Sequence, residues 1–264
     1  MTILQAILLG IVQGVTEFLP VSSSGHLIIF PELFGWEQQG AAFDVIIHLA
    51  TLSAVIWVLW GDIVGLFKQI TKKGAWRESQ LLKLIVATLP VVIVGLIIST
   101  AYLESVRTVR VVAINLAIWG AILWAADWYS VKVTAQTKKF QKIGWFQAIV
   151  IGLAQVIALM PGSSRSGVTI TAGLFSGLDR TTAAKFSFLL AIPAIAGAGL
   201  LISIDAVQNG FDTPIPALIA GFISAFISGA LSIRFLFKLL IKSNYRWFAV
   251  YRIGLGLFLL VLTM

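Results

Sequence analysis

The chain has 264 residues, of which 59% are hydrophobic and only 11% charged, against about 25% charged in a soluble globular domain. That balance excludes a water-soluble fold as the main body, and the lack of cysteine excludes disulfides, thiolate chemistry and cysteine-ligated metals. The formal charge of +8 would suit nucleic acid, but the basic residues lie in short loops beside apolar runs. Lipid headgroups account for them, and no nucleic-acid partner is expected.

The first Lys or Arg is Lys68, so the apolar N-terminus lacks the basic start of a cleavable secretory signal and is expected to stay in the mature protein. In chain order, residues 3–30 form an apolar stretch interrupted near its middle by Pro, Gly and Ser. Such an interruption predicts two half-helices and a loop entering and leaving on one side. Full spans follow at about 43–60, 84–102 and 110–128, each near the roughly 20 residues needed to cross a bilayer. A basic linker at about 129–144 reads as a solvated loop. Residues 145–177 form a second interrupted stretch, followed by spans at about 186–204, 216–236 and 247–263. Helix is the only state expected for these spans, because lipid leaves no other partner for backbone N–H and C=O groups. The fold class is all-α polytopic membrane protein, with six transmembrane helices plus two re-entrant helix–loop–helix pairs.

Drawn this way, fifteen of the nineteen Lys and Arg residues fall on one side, which the positive-inside rule makes cytoplasmic. They include Lys68, Lys72, Lys73 and Arg77 after the first span and Lys132, Lys138, Lys139 and Lys142 in the linker. Arg107 and Arg110 fall opposite, while Arg165 and Arg252 lie within apolar segments. Both termini and the opening of the first re-entrant loop are expected on the extracytoplasmic side of the inner (cytoplasmic) membrane. The two interruptions resemble each other: Gly10-Ile-Val-Gln13 leads to Pro20-Val-Ser-Ser-Ser-Gly25, and Gly152-Leu-Ala-Gln155 leads to Pro161-Gly-Ser-Ser-Arg-Ser-Gly167. From Gln to closing Gly is twelve residues in both. One membrane domain over 1–264 therefore reads as repeat 1 at about 1–128 and repeat 2 at about 145–264. Three spans per half force the halves to run inverted, a plan that puts a site near the midplane where broken helices meet.

Gln13 and Glu17 are four apart, on one helix face, and Glu17 lies just before Pro20. A carboxylate at that depth needs an ion partner, a cation or a wet cavity. The expected role is a ligand for Mg²⁺ or Ca²⁺ with Gln13 adding a neutral oxygen, and a helix-stabilising contact is the plainer alternative. Ser22, Ser23, Ser24, Gly25 and His26 stand where a returning half-helix should begin, a place suited to phosphate. In the second loop, Ser163, Ser164, Arg165, Ser166 and Gly167 bury a permanent cation that needs an anion. Glu17 and a bound phosphate are both candidates. Thr169 and Thr171 follow on the same helix. Asp44 and His48, four apart, read as a local ion pair.

Taken together, Gln13-Gly-Val-Thr-Glu17-Phe-Leu-Pro20-Val-Ser-Ser-Ser-Gly-His26 resembles the (Glu/Gln)-x-x-x-Glu plus Pro-Val-Ser-Ser-x-Gly-His signature of the bacterial undecaprenyl-diphosphate phosphatases of the BacA type. Pro161-Gly-Ser-Ser-Arg165-Ser-Gly resembles their second signature, and the match runs end to end. The resemblance implies hydrolysis of undecaprenyl diphosphate to the monophosphate and inorganic phosphate, recycling the lipid carrier of cell-wall precursors. It implies that Glu17 and Gln13 hold the cation, that Arg165 clamps the diphosphate, and that Ser22, Ser23 and His26 sit at the scissile phosphorus. Position 13 is Gln where many members have Glu. Ser23 attacking with His26 as general base is the favoured arrangement, with His26 attacking directly or a metal-activated water as alternatives. The acid-phosphatase-like lipid phosphatases need a second His after Ser-Arg, which Ser164-Arg165 lacks. A transporter or flippase of a phosphorylated polyprenyl lipid is the rival class, and a homodimer is compatible with the plan.

Overall fold

The computed structural model describes residues 1–70, 79–98, 102, 105–134, 143–209 and 213–263. These form eleven α-helices, one 3₁₀ turn and their connections, with no strand among the described residues. The first interrupted stretch is α1 (Ile3–Phe18) and α2 (Ser23–Phe34). Then come α3 (Ala41–Val58), α4 (Trp60–Ile70), α5 (Gln80–Ile97) and α6 (Val109–Thr134). The second interrupted stretch is α7 (Trp145–Gln155), a 3₁₀ turn at Val156–Leu159 and α8 (Arg165–Phe175), followed by α9 (Arg180–Asn209), α10 (Ile215–Lys242) and α11 (Arg246–Leu262).

Both interruptions arise where the sequence places proline. The residue before a proline is driven out of the helical region. Leu19, before Pro20, is extended at φ −66°, ψ 140°, and Met160, before Pro161, is extended at φ −79°, ψ 126°. After each break a new helix starts, capped by a serine.

α4 was not among the expected elements, because Gly61 and Asp62 break the apolar run. It is a separate helix with Asp62 in its first turn and Lys68 in its last, charges that complement its dipole. α6 extends to Thr134 and so absorbs the start of the expected linker. Lys72, Lys73, Arg77, Lys138, Lys139 and Lys142 lie outside the described residues.

Four helices are long and apolar enough to cross a membrane among the described residues: Ala41–Val58, Gln80–Ile97, Val109–Lys132 and Ile215–Lys242. Large apolar side chains point outward from the bundle, with Ile97 and Ile241 each 76% exposed and Val261 72%. Contiguous apolar exposure of this kind marks a lipid-facing surface rather than a watery one. The protein is an all-helical membrane protein.

Small residues let the central helices approach. A Cβ on Gly10 would lie 2.0 Å from Ser224 Oγ, and one on Gly14 would lie 2.0 Å from Ser228 Oγ, so α1 lies against α10. A Cβ on Gly152 would lie 2.6 Å from the Ala87 carbonyl, which sets α7 against α5. Without a hydrophobic drive in lipid, this close contact is what holds helices together. At one end of the bundle, wholly buried Asp127 of α6 receives Arg180 Nε at 2.6 Å, Arg180 Nη2 at 2.9 Å and the Tyr245 amide at 3.2 Å. These bonds tie α6 to the starts of α9 and α11. Lys185 reaches Asp62 at 2.8 Å.

Candidate active site

The two loop tips meet inside the bundle. Glu17 sits in the last turn of α1 and Arg165 is the first residue of α8, and Arg165 Nη2 donates to Glu17 Oε1 at 3.0 Å. Both are largely buried, with side-chain exposures of 7% and 13%. A carboxylate at a helix C-terminus and a cation at an N-terminus each oppose the local dipole, by about 0.3–1 kcal/mol. Their pairing offsets a placement that folding alone would not select. Arg165 Nη1 donates to the Ser187 carbonyl of α9 at 2.9 Å, which fixes the guanidinium from behind. The ion pair forms directly between the two side chains, the plainer of the two outcomes expected for Arg165.

The second carboxylate oxygen faces the first loop. Ser23 Oγ donates to Glu17 Oε2 at 2.5 Å and Gln13 Nε2 donates to the same atom at 3.1 Å. His48 of α3, about one-third exposed, brings Nε2 to 3.9 Å from that oxygen. Its Nδ1 lies 2.7 Å from the Asp44 carbonyl, which can only accept, so Nδ1 carries a proton and Nε2 faces Glu17. His48 thus belongs to the site, whereas sequence spacing assigned it to a local pair with Asp44. The Asp44 carboxylate instead accepts from Gln39 at 3.0 Å and lies 3.5 Å from Arg107 Nη2.

The expected Ser23–His26 pair does not form. His26 Nδ1 donates to the Ser22 carbonyl at 2.7 Å, and Nε2 lies 2.7 Å from the Tyr251 hydroxyl of α11. Both ring nitrogens are therefore engaged away from Ser23, whose hydroxyl belongs to Glu17. Residues three apart in one first turn invited the pairing, but neither the turn nor the i, i+3 spacing fixes side-chain direction.

The two returning helices start in the same way. Ser22 and Ser164 are the only non-glycine residues with positive φ among the described residues, at 76° and 70°. Each uses its hydroxyl as an N-cap, Ser22 Oγ accepting from the Gly25 amide at 3.3 Å and Ser164 Oγ from the Gly167 amide at 3.0 Å. Each carbonyl accepts the next amide, from His26 at 3.2 Å and Val168 at 2.8 Å. The first two helical amides of each helix, at Ser23 and Ser24 and at Arg165 and Ser166, take no part in these four bonds, and amides at such a position suit an anion.

Several of the other residues expected at the substrate are also hydrogen-bonded or packed within the protein. Ser166 Oγ donates to the Leu19 carbonyl across the loops at 3.2 Å. Thr169 Oγ1 donates to the Arg165 carbonyl and lies 2.7 Å from Ser187 Oγ. Gly25 and Gly167 serve close packing: a Cβ on Gly25 would lie 3.0 Å from Val112 Cγ1, and one on Gly167 would lie 2.3 Å from Arg252 Nη1. Ser24 is exposed, and the buried Ser163 and Thr171 hydroxyls have no partner.

For a divalent cation, the oxygen donors this part of the chain offers are Glu17 and Gln13. Gln13 Oε1 is buried without a hydrogen-bond partner, a hard oxygen next to a carboxylate. No cluster of three or more His, Asp or Glu occurs among the described residues, so remaining ligands would be water and phosphate oxygens, as Mg²⁺ commonly takes.

A family model described as "Bacitracin resistance protein BacA" matches residues 6–258. The chain belongs to the BacA family. It is 43% identical to "Undecaprenyl-diphosphatase 2" of Stutzerimonas stutzeri (strain A1501), with 99% of this chain and 98% of that protein covered. It is 42% identical to "Undecaprenyl-diphosphatase" of Saccharophagus degradans, with 99% of each covered. Against the protein of that name from Moorella thermoacetica it is 41% identical, with 97% and 96% covered. In this BacA-family chain, four residues behind the loops carry structure that motif reading did not reach: Asn115, Ser187, Tyr251 and Arg252. Only Arg252 left a signal in the sequence, as a cation inside an apolar run.

Proposed function

We propose that the protein hydrolyses undecaprenyl diphosphate to undecaprenyl phosphate and inorganic phosphate. The observation that carries this reading is the meeting of Ser23, Glu17 and Arg165 where two capped helix N-termini converge. The names of its relatives across nearly their full lengths supply the substrate.

The diphosphate head is bound between the N-termini of α2 and α8, where free amides and Arg165 offset its charge. Phosphoryl transfer asks mainly for such positioning and charge compensation. Ser23 Oγ attacks the terminal phosphorus while its proton passes to Glu17 Oε2. The bond from that phosphorus to the bridging oxygen breaks, and undecaprenyl phosphate departs. Water then cleaves the phosphoserine, releasing inorganic phosphate and returning the proton to Ser23. His26 holds the Ser22 carbonyl, and so the turn that presents Ser23. Gln13 and Glu17 would hold a divalent cation, which when bound supplies further compensation of phosphate charge.

The architecture we assign is six spans with two re-entrant pairs in an inverted repeat. Supporting it are the matching prolines, the twin positive-φ serine caps and the packing of α1 on α10 against that of α7 on α5. Arg180, Arg246 and Asp127 gather at one end, as the positive-inside assignment requires of residues on one side. We place that end in the cytoplasm and the first loop opening outside.

Phosphate release by the purified, detergent-solubilised protein from undecaprenyl diphosphate, with and without chelator, tests this. Release that chelator suppresses is expected. Lipid movement in sealed vesicles with no release in detergent would establish a transporter instead.

A further inference from the structure

Arg252 lies in the middle of α11 and is wholly buried. Among the described residues no carboxylate pairs with it. Its guanidinium donates to three backbone carbonyls, Nη1 to Pro20 at 3.3 Å and Nη2 to Gly162 at 3.2 Å and Ser163 at 2.8 Å. Its Nε has no partner. A cation without a counter-ion inside an apolar span is costly, and an apolar side chain of similar volume would fill the space without that cost.

What the three carbonyls share is their place. Pro20 belongs to the first loop tip, Gly162 and Ser163 to the second. Tyr251 holds His26 of the first tip, and Asn115 of α6 donates to the Pro161 carbonyl of the second at 2.8 Å. Each of these supports one tip, whereas Arg252 holds both. The planar fork of arginine suits two backbones at a fixed spacing better than a point-charge ammonium does. Two glycines make room for the side chain, since a Cβ on Gly167 would lie 2.3 Å from Nη1 and one on Gly120 would lie 3.0 Å from Arg252 Cβ.

The front of the site is joined differently. There the tips are linked by Arg165 and Glu17, the pair that a diphosphate must enter and share. We propose that Arg252 is a positioning residue that keeps the two loop tips in register while the Glu17–Arg165 contact yields to the phosphate. This rests on the phosphatase reading for its effect on turnover, but the register itself is a property of the folded chain. Arg252 touches no reacting atom. Its loss misaligns Ser23 against an Arg165-held phosphate, and a misplacement of about 1 Å costs about a hundredfold in rate.

The test uses the full chain, which has no native cysteine. Spin labels on Ser24→Cys and Met160→Cys report the distance between tips without substrate, and unlabelled Arg252→Met and Arg252→Lys report kinetics. The parent should give one narrow distance. Arg252→Met should broaden it and lower kcat about a hundredfold with KM within about threefold. Arg252→Lys should fall between the two in both measurements, and it carries the test alone if Arg252→Met fails to fold. A narrow distance in the variants, whatever their activity, overturns the proposal. So does full turnover of Arg252→Lys with broadened distances, which would make charge and not register the function.

Discussion

Glu17→Gln separates the stability of the site from its chemistry. The change keeps the side chain's shape but removes the charge that faces Arg165 at 3.0 Å and the proton acceptor for Ser23 at 2.5 Å. Leaving one member of a buried pair without its partner costs about 3–5 kcal/mol. Arg165 is 13% exposed and keeps the Ser187 carbonyl, so the lower end, about 3 kcal/mol, is expected. Loss of a general base lowers rate by about 10²–10⁴, and a thousandfold loss corresponds to about 4 kcal/mol of barrier. In the double variant Glu17→Gln with Arg165→Met, neither member of this pair is left as an unpaired buried charge. Stability should then return to within about 1 kcal/mol of the parent, while turnover stays lowered by at least as much as in Glu17→Gln alone. Thermal unfolding followed by the fluorescence of the nine tryptophans, beside phosphate release, measures both. A single variant with near-parent turnover, or a double variant no more stable than Glu17→Gln alone, would falsify this account of the pair.

Ser23→Ala should abolish phosphate release and any trapped phosphoenzyme. Tyr251→Phe, which removes only the bond to His26, should cost about 1 kcal/mol of stability and leave turnover within about fivefold of the parent. A collapse of activity in Tyr251→Phe would give His26 a direct chemical part. Gln13→Ala should raise the Mg²⁺ concentration needed for half-maximal activity and Gln13→Glu should lower it, read from titration after chelation. Equal requirements in both would remove Gln13 from the cation site. Gly14→Ala would press a Cβ to 2.0 Å from Ser228 Oγ and 2.5 Å from the Ala225 carbonyl, and an overpacked contact should cost about 1–3 kcal/mol in thermal unfolding. For orientation, a cysteine at Ser105 should label from outside intact cells and one at Lys242 only after permeabilisation. Labelling in the opposite order reverses the topology.

The apolar helices, the two breaks and the acidic and basic tips are legible in sequence because each rests on a strong local rule. Length and hydropathy mark the helices, and Pro20 and Pro161 mark the ends of α1 and of the 3₁₀ turn. The charges of Glu17 and Arg165 inside apolar runs each called for a partner, Glu17 being one of two candidates for Arg165, and the two side chains meet. What sequence could not supply was direction. Ser23 turns to Glu17 rather than His26, and His48 turns its Nε2 to the site rather than to Asp44, because rotamers are decided by neighbours from other helices. Asn115, Ser187 and Tyr251 are polar residues of ordinary kinds in long helices, and only packing reveals which loop each supports. The hydroxyls of Ser22 and Ser164 cap their own helices, since a hydroxyl beside an open helix end meets its own amides first, and that of Ser166 ties the loops through the Leu19 carbonyl. α4 escaped notice because one Gly and one Asp outweigh an amphipathic pattern in a hydropathy scan.

The glycine–serine contacts between α1 and α10, and the matching approach of Gly152 to Ala87, limit how this molecule can flex. With backbones pressed this close, neither broken helix can slide alone along its partner without collision. Substrate entry is then expected to proceed by tilting of whole helix pairs, and covalently stapling α3 to α9 should slow turnover of the long-tailed lipid while sparing that of a short, water-soluble diphosphate.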